Sequence, residues 1–577
     1  MTDAGETETL DAAAGDAPYA NDWSLRPWLL AGLLAIAGLL IHLLTDGAGS
    51  ETPLRVALAT FTFFTAIGAA FTLDEDDLVA PAIFALVIGL VMAGLSYHAV
   101  DQGDRVADEE YAVAAGVFFS LLALPLFQAG FHRLRFRTDY KATHWHVWSD
   151  AITAAGALAF TGLSWLVLYL LASLFDLIGI DFLELLTREG WFGWMFSGAA
   201  FGAALGVLRN QLSIIGTLQG VVMLVLSLLA VPFALAMIAF SAAFLLSGGQ
   251  ALWDATDSAT PLLLACAVGS FVLANAVIRD DDAARSSNAV MQASAVILSL
   301  AIFPLSVFAA ISMGIRVDQH GLAPERIWAL VAIAVATAYG LAYWVGIARG
   351  RMAGWSGQLR GANFNLAVGA SALALFLALP ILNFGSIATA NQISRLQSGA
   401  VSVEEFDFTA LRWDFGAAGR RGLERLKAEG GEIATLAQEA LDQDERPWGR
   451  LRNRRAAEDI DLRMQPENPQ LRAKVIERVR YNRWQCEEFC VGLDLGVGED
   501  GKQRVAVISG SNYEIMRFDP SGDAEIEAEL AVEETAIEVE GGARGGSVTR
   551  DSTVEIRDVQ KRYIFVDGKP LGRPLPD

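Results

Sequence analysis

Long apolar segments, each about as long as a bilayer is thick, dominate the chain from residue 27 to about residue 382. Three of them are PWLLAGLLAIAGLLIHLL (27–44), AITAAGALAFTGLSWLVLYLLASLF (151–175) and QGVVMLVLSLLAVPFALAMIAFSAAFLL (219–246). A helix of about 20 such residues crosses a hydrocarbon core of about 30 Å. Because backbone polar groups in lipid must be bonded internally, these segments predict helices that cross a membrane.

About eleven segments of this kind follow one another, separated by short polar hinges. Their ranges are 27–44, 53–72, 79–97, 111–130, 151–174, 193–208, 218–246, 261–278, 289–313, 326–347 and 362–382. The sixth segment has only 16 residues, which is short for a crossing. The predicted fold is therefore an all-α polytopic membrane bundle of about 11 transmembrane helices, followed by a soluble C-terminal α+β domain.

Composition divides the chain into three parts. Residues 1–26 are acidic and small, without a basic start, and predict a disordered tail rather than a signal peptide. Residues 27–389 form the predicted multi-pass transmembrane domain, and residues 390–577 the soluble domain. The first 389 residues hold only 16 of the 43 Lys and Arg residues, which is typical of a membrane domain followed by a domain of ordinary polarity.

The C-terminal domain is predicted to have a helical first half and a β-rich end. A further helix is expected from about Pro469 to Cys490, and strands at 504–511, 512–519, 552–559 and 561–572. The pair Asp567-Gly568 is typical of a tight turn. This part of the chain has no phosphate-binding loop, no G-x-S-x-G motif and no histidine, so an interaction or gating module is the default interpretation.

Orientation follows from the excess of Lys and Arg in short cytoplasmic loops. The most basic hinge, HRLRFRTDYKATH (132–144), is placed inside. Alternation over eleven segments then gives eleven basic residues inside and five outside, whereas omission of the sixth segment gives seven and nine. The prediction is an inner-membrane protein with a cytoplasmic N-terminus and a periplasmic C-terminal domain.

Two cysteines, Cys486 and Cys490, form the motif CEEFC in the polar domain. They could form a disulfide in an oxidising periplasm, or stay reduced in the cytoplasm. Two thiols without histidine do not complete a metal site, so neither a metal nor another cofactor is expected. A net charge of −23 disfavours nucleic acid as a partner, which leaves membrane lipids and a periplasmic protein partner.

Small residues and prolines mark special positions within the segments. Gly198, Gly202 and Gly206 recur every four residues in the sixth segment, so its helix has a face that a neighbouring backbone can approach closely. That face could be a tightly packed seam, which we favour, or part of a pivot or pore. Prolines within segments can kink helices and build substrate sites, although kinks also occur in plain bundles; they are Pro125, Pro232 and Pro304.

Charged residues are scarce within the segments and gather at their ends. The substrate or pathway candidates are Asp254, Asp257, Arg209, Asn210, Arg279 and Asp280. Asp254 and Asp257 could line a site in a loop that dips into the membrane, or cap a solvated loop. Arg279 next to Asp280 favours a topological anchor with a local ion pair. No catalytic residue is predicted.

Three stretches resemble a known family: GWFGWMFSGAAFGAALGVLRNQL (190–212), LLSGGQALWDATDSATPLLL (245–264) and NAVIRDDDAARS (275–286). Together with the pattern of segments, the chain resembles the bacterial multi-pass membrane family called domain of unknown function 4153, over most of residues 27–420. The resemblance implies a bacterial inner-membrane location. It implies no active-site residues.

Three functions remain open. The first is a transporter or flippase for a neutral or lipid-like cargo, and it predicts a cavity lined by the fifth to eighth segments. The second is an envelope-assembly or regulatory scaffold that presents a periplasmic interaction domain. The third is a membrane-embedded lipid-linked transferase, disfavoured because the first outer loop offers only Asp46 and Glu51 as acids. The sequence slightly favours transport, and an enzyme is not expected.

Overall fold

The computed structural model describes most of the membrane part of the chain and the core of the C-terminal domain. The described residues are 23–247, 259–444, 446, 460–481, 486, 489–498, 501–509, 512–518, 554–559, 561–566 and 569–571. The chain forms two compact units. One comprises Met1–Ser394 with Asp414–Gly422, and the other Arg395–Trp413 with Leu423–Asp577.

The first unit is a bundle of long helices. Eleven of the described helices are long and apolar enough to cross a membrane, which confirms the predicted number. They are α1 (Arg26–Thr45), α2 (Pro53–Thr72), α3 (Val79–Gln102), α4 (Glu109–Gln128), α6 (Tyr140–Asp176), α8 (Gly190–Asn210), α9 (Leu212–Leu246), α10 (Thr260–Ile278), α11 (Ala289–His320), α12 (Pro324–Arg351) and α13 (Gly354–Ala378). Shorter helices are α5 (Phe131–Leu134), α7 (Phe182–Arg188), α14 (Phe384–Gln397), α15 (Phe408–Trp413), α16 (Gly416–Glu429) and α17 (Gly431–Leu441), of which α15 and α17 belong to the second unit.

The sixth segment is a full crossing helix. It extends over 21 residues as α8, five more than its apolar stretch, because the flanking residues Gly190–Phe192 and Arg209–Asn210 are also helical. Helix α6 is likewise longer than its predicted segment, since its first turns contain the polar residues 140–150.

Small residues fill the interior of the bundle and large apolar side chains cover its surface, as expected for a structure surrounded by lipid. Alanine, glycine and serine are frequent among its buried residues, and large aliphatic side chains are frequent among its exposed ones. Along α6, for example, the side chains of Leu163, Leu166 and Leu170 are more than half exposed. Since lipid tails are as apolar as leucine, close packing of small residues holds such helices together.

Three groups of helices share buried apolar contacts. Helices α9–α12 with the start of α13 surround one core, α1, α2, α6 and α8 a second, and α2–α4 with the end of α13 a third. The strongest pairing is between α1 and α8, which lie side by side along most of their length.

From residue 460 onward, the described part of the second unit contains two small sheets and a helix. The first sheet has the order β1 (Asp461–Gln465), β2 (Phe489–Val497), β3 (Gln503–Ser509) and β4 (Asn512–Phe518), with β1 parallel to β2 and the other pairs antiparallel. Helix α18 (Pro469–Tyr481) connects β1 to β2. The second sheet is antiparallel, in the order β5 (Val554–Val559), β6 (Lys561–Val566) and β7 (Lys569–Leu571).

Alternation along β3 places two cores on opposite faces of the first sheet. Val505 and Val507 face the core that includes α18, whereas Ala506 and Ile508 face the core shared with the second sheet. The mixed fold confirms the predicted α+β class.

Two details of the C-terminal prediction were wrong. The helix expected to reach Cys490 ends at Tyr481, and Cys490 lies in β2. The strands β1 and β2 were not predicted, because DLRMQ is short and polar and the start of FCVGLDLGV coincides with the end of the predicted helix. The predicted turn at Asp567-Gly568 lies outside the described residues.

Candidate functional site

Two polar clusters and a cavity at the ends of the bundle are the features considered for a site. The basic end is the one that carries the hinge between α4 and α6, where Arg133 donates to Asp77 at 2.6 Å and Lys141 to Asp281 at 3.1 Å. The Ala80 backbone amide, together with Arg133, lowers the pKa of Asp77. Because successive helices alternate in direction, the cavity between the ends of α3 and α13 and the starts of α4 and α12 lies at the opposite end.

The first cluster joins three helices at the basic end through Arg26. This buried side chain donates to the carbonyl of Arg209 (3.2 Å), to Oδ1 of Asn210 (2.6 Å) and to Oδ2 of Asp74 (3.1 Å). Arg209 donates to the carbonyl of Ala70 at 2.6 Å. The candidates Arg209 and Asn210 therefore cap and connect α1, α2 and α8. They hold the helix ends together.

The second cluster is a closed ring of hydrogen bonds among three helices, which we call the amide–phenol ring. Nδ2 of Asn275 donates to the Tyr343 hydroxyl at 2.7 Å, this hydroxyl donates to Oδ1 of Asn363 at 2.6 Å, and Nδ2 of Asn363 donates to Oδ1 of Asn275 at 2.6 Å. Tyr343 is fully buried. The ring satisfies polar groups that would otherwise be costly among apolar side chains.

An ion pair links α13 to the loop after α10, one turn before the ring residue Asn363. Nη2 of Arg360 donates to Oδ1 of Asp282 at 2.6 Å, and the Ser356 hydroxyl donates to the same oxygen at 2.7 Å. These two hydrogen bonds, Arg360 first, lower the pKa of Asp282. The Ala284 amide, together with Lys141, lowers the pKa of Asp281. The motif NAVIRDDDAARS thus supplies one residue of the ring and the acid that receives Arg360.

The candidates Arg279 and Asp280 lie between these contacts. Arg279 ends α10 in the left-handed conformation, with φ of +56°, which turns the chain into the loop. Asp280 follows it and is half-buried. Nearby, His144 of α6 is buried, and among the described residues neither of its ring nitrogens has a hydrogen-bond partner.

The predicted glycines lie in the seam between α1 and α8. A Cβ atom on Gly198 would overlap the carbonyl of Leu34, and one on Gly202 would overlap that of Leu30. At Gly206 it would lie 2.5 Å from the α-carbon of Pro27. All three positions therefore bring two backbones together, as in tightly packed membrane helices.

The remaining candidates are residues within helices, a disulfide, or residues outside the described part of the chain. Pro125, Pro232 and Pro304 lie within α4, α9 and α11, each of which continues past its proline. Cys486 and Cys490 form a disulfide with their α-carbons 5.4 Å apart. Asp254 and Asp257 lie outside the described residues.

A cavity of about 420 Å³, which we call the acidic pocket, opens at the end opposite the basic one. Helices α3 and α4 contribute its polar wall, and the end of α13, Trp328 and Phe384 contribute an apolar wall. The polar or charged residues of the lining are His98, Gln102, Arg105, Asp108, Glu109, Asn383 and Arg421. Its position differs from that of the predicted cavity between the fifth and eighth segments.

Asp108 is the unusual residue of this pocket. It directly precedes α4 but makes no side-chain cap, and its backbone is left-handed, with φ of +53°. Within the described chain, Oδ2 of Asp108 and Oε2 of Glu109 are buried without a hydrogen-bond partner. Burial, together with the charges of Glu325 and Glu110, raises the pKa of Asp108 to about 7. Strained backbone and unsatisfied carboxylates are typical of functional sites.

Sequence reasoning missed the acidic pocket. Acids at positions 108–110 are what the start of any helix favours, so they carried no functional signal. Their partners across the pocket, Leu379 and Ala417, are some 270 to 310 positions away in the sequence. The left-handed Asp108 also had no local signature, because glycine or asparagine is the usual residue there.

Eleven crossing helices and an appended α+β domain define an integral, multi-pass membrane protein. The model of the family described as domain of unknown function (DUF4153) matches residues 59–426. The chain belongs to this family, as its sequence motifs predicted, and the match includes the amide–phenol ring and the whole lining of the acidic pocket. Comparison with curated proteins and with solved structures gave no match.

Proposed function

We propose that the protein is an inner-membrane transporter or flippase that receives its cargo in the acidic pocket. The observation that carries this proposal is the pocket itself, an opening of about 420 Å³ at the end of the helix bundle. Two carboxylates of its lining, Asp108 and Glu109, each have one buried oxygen that has no hydrogen-bond partner within the described chain. Concave sites with an apolar wall and a few convergent polar groups are typical of small-ligand binding. The many crossing helices favour movement of that ligand over simple retention.

The proposed orientation puts the basic end in the cytoplasm and the acidic pocket on the periplasmic side. The distribution of Lys and Arg, eleven against five, supports this orientation. With eleven crossings, the C-terminal domain is then periplasmic, where a disulfide such as Cys486–Cys490 is stable. Cargo would therefore enter from the periplasm or from the outer leaflet.

Filling the pocket tests this function. Ala112 lines the cavity, and Ala112→Trp should fill much of it, whereas Ala155→Trp places the same side chain on the exposed surface of α6. A panel of solutes and lipid headgroups is screened for thermal stabilisation of the purified protein, and hits are assayed for uptake or lipid translocation in proteoliposomes. Ala112→Trp should lose binding and transport, and Ala155→Trp should keep both. Equal transport by both variants contradicts the proposal.

A second candidate is a scaffold that presents the C-terminal domain to a periplasmic protein. The observation that favours it is the independent core of this domain, with two apolar clusters and a disulfide of its own. Truncation after Asp444, which removes both sheets and the disulfide, separates the two functions. A transporter should keep pocket-dependent transport after the truncation, whereas a scaffold should lose the phenotype of the intact strain.

A further inference from the structure

The acidic pocket contains more acceptors than its own residues satisfy. Oδ2 of Asp108 and Oε2 of Glu109 are buried and, as far as the described chain extends, unpaired. A buried carboxylate oxygen without a donor is costly, since it has lost water and gained nothing. A positively charged ligand with N–H donors would remove this cost, because it would both donate hydrogen bonds to the carboxylates and balance their charge.

The surroundings strengthen the preference for a cation. Three further acids, Glu110, Glu325 and Asp414, lie near enough to Asp108 to act on its charge. They come from the first turn of α4, the start of α12 and the residue that precedes Phe415. The two arginines of the lining, Arg105 and Arg421, are exposed, whereas Asp108 and Glu109 are half-buried, so solvent screens the arginines more than it screens these two carboxylates.

The opposite wall suits the apolar part of a ligand. Leu95, Val113, Leu377, Trp328 and Phe384 line it, and the Trp328 and Phe384 rings pack edge to face with centroids 5.0 Å apart. An aromatic wall also accepts an ammonium group through its π-face. The cavity volume lies within the range of small-molecule sites, which is about 300–1,000 Å³.

We propose that the acidic pocket binds a primary ammonium group, with Asp108 and Glu109 accepting its N–H donors. This inference rests on the proposed function and specifies its cargo. The same chemistry has two sources, namely a free small amine and the ethanolamine headgroup of a lipid. A quaternary ammonium, which has the charge but no N–H donor, binds more weakly than a primary one because the carboxylate oxygens stay unsatisfied.

Protonation of the acids competes with the ammonium group. Since Asp108 titrates near pH 7, it is mostly neutral at pH 6 and mostly ionised at pH 8. Burial likewise raises the pKa of Glu109 to about 7. Amine affinity should therefore be at least about tenfold weaker at pH 6 than at pH 8. The other titratable or charged groups near this carboxylate are His98, Arg105, Glu109, Glu110, Tyr111, Glu325, Asp414 and Arg421, so His98→Gln is tested to show that the pH dependence persists without the imidazole.

The test measures binding to the full-length protein in nanodiscs of choline-headed lipid, with ethanolamine as the probe and tetramethylammonium and acetate as comparisons. A second arm replaces part of the lipid by ethanolamine-headed lipid and asks whether it competes with the free amine. Asp108→Asn with Glu109→Gln removes the proposed acceptors. Asp318→Asn removes one charge from the end of α11, outside the pocket.

The expected result is saturable ethanolamine binding that is about 10- to 100-fold weaker in the double variant and unchanged in Asp318→Asn, in line with loss of charge-assisted hydrogen bonds. Competition by the ethanolamine-headed lipid assigns the lipid source, and its absence assigns the free amine. Binding that survives in the double variant, or no binding by the wild type, overturns the inference. Binding of acetate instead would overturn the inference and leave the proposed pocket function standing. Thermal melting at pH 5, where the acids are largely protonated, verifies that the double variant is folded.

Discussion

Gly202 of α8 faces the carbonyl oxygen of Leu30 in α1 so closely that a single added carbon atom would overlap it. The contact is backbone to backbone, and neither helix can yield without moving the other. A change of one methyl group at this position therefore tests whether the glycine face is a packing seam.

Gly202→Ala should lower the stability of the protein by about 1–3 kcal/mol, because overpacking forces the two helices apart. Gly220 of α9 is a matched control, since it is exposed and a Cβ atom there meets nothing within 4 Å. Gly220→Ala should be neutral, or stabilising by up to about 1 kcal/mol through helix propensity. Thermal melting in detergent measures both. Similar melting temperatures for the two variants would argue against the seam.

Tyr343→Phe should destabilise the bundle by about 1–3 kcal/mol, because it leaves Oδ1 of Asn363 without its donor in a buried place. Tyr339 offers the control. It is partly buried one turn earlier on the same helix and packs edge to face on Phe271, with ring centroids 5.2 Å apart. Tyr339→Phe should change stability by less than about 0.5 kcal/mol. If the two variants unfold alike, the ring is not a stabilising element.

Asp108→Asn should stabilise the protein, and more so at pH 8 than at pH 5. The folded protein holds the pKa of Asp108 at about 7, above the ordinary value of 3.8, so the wild type loses stability as the pH rises between these two values. Asparagine imitates the protonated acid and removes the loss. Melting temperatures at the two pH values measure the effect, with Asp318→Asn as the control. An Asp108→Asn gain that is independent of pH contradicts the raised pKa.

Orientation can be measured with single cysteines at exposed positions. Arg137→Cys at the basic end should react with a membrane-impermeant maleimide only after the cells are permeabilised, whereas Asp318→Cys at the opposite end should react in intact cells. The native cysteines interfere little, since Cys486 and Cys490 are bonded and Cys266 lies within α10. The reverse labelling pattern would invert the proposed topology and put the acidic pocket in the cytoplasm.

The membrane architecture was predictable because the bilayer imposes it. Length and hydropathy identify each crossing helix, and the four-residue spacing of Gly198, Gly202 and Gly206 indicated a closely packed face. The short sixth segment was the hardest to assign, and its polar ends became helical because Arg209 and Asn210 find partners in α1 and α2.

The sites were less predictable because they depend on contacts between distant parts of the chain. Arg209 and Asn210 were candidates for a pathway, but nothing local indicated that Arg26 would join them. Asn275 and Asn363 come together across 88 positions, and the sequence around an asparagine in an apolar segment does not indicate which residue it will bond to. The pocket acids resembled an ordinary helix start. In the C-terminal domain, the strand that begins at Phe489 was missed because burial on both faces removes the alternation that marks a strand.

The amide–phenol ring limits how this bundle can move. Each of its three side chains satisfies the other two, so sliding α10, α12 or α13 alone would strand a polar group among hydrocarbon. These helices should behave as one rigid body during any working cycle. Under the proposed transport function, alternating exposure of a cargo to the two sides would then come from motion of the remaining helices around these three.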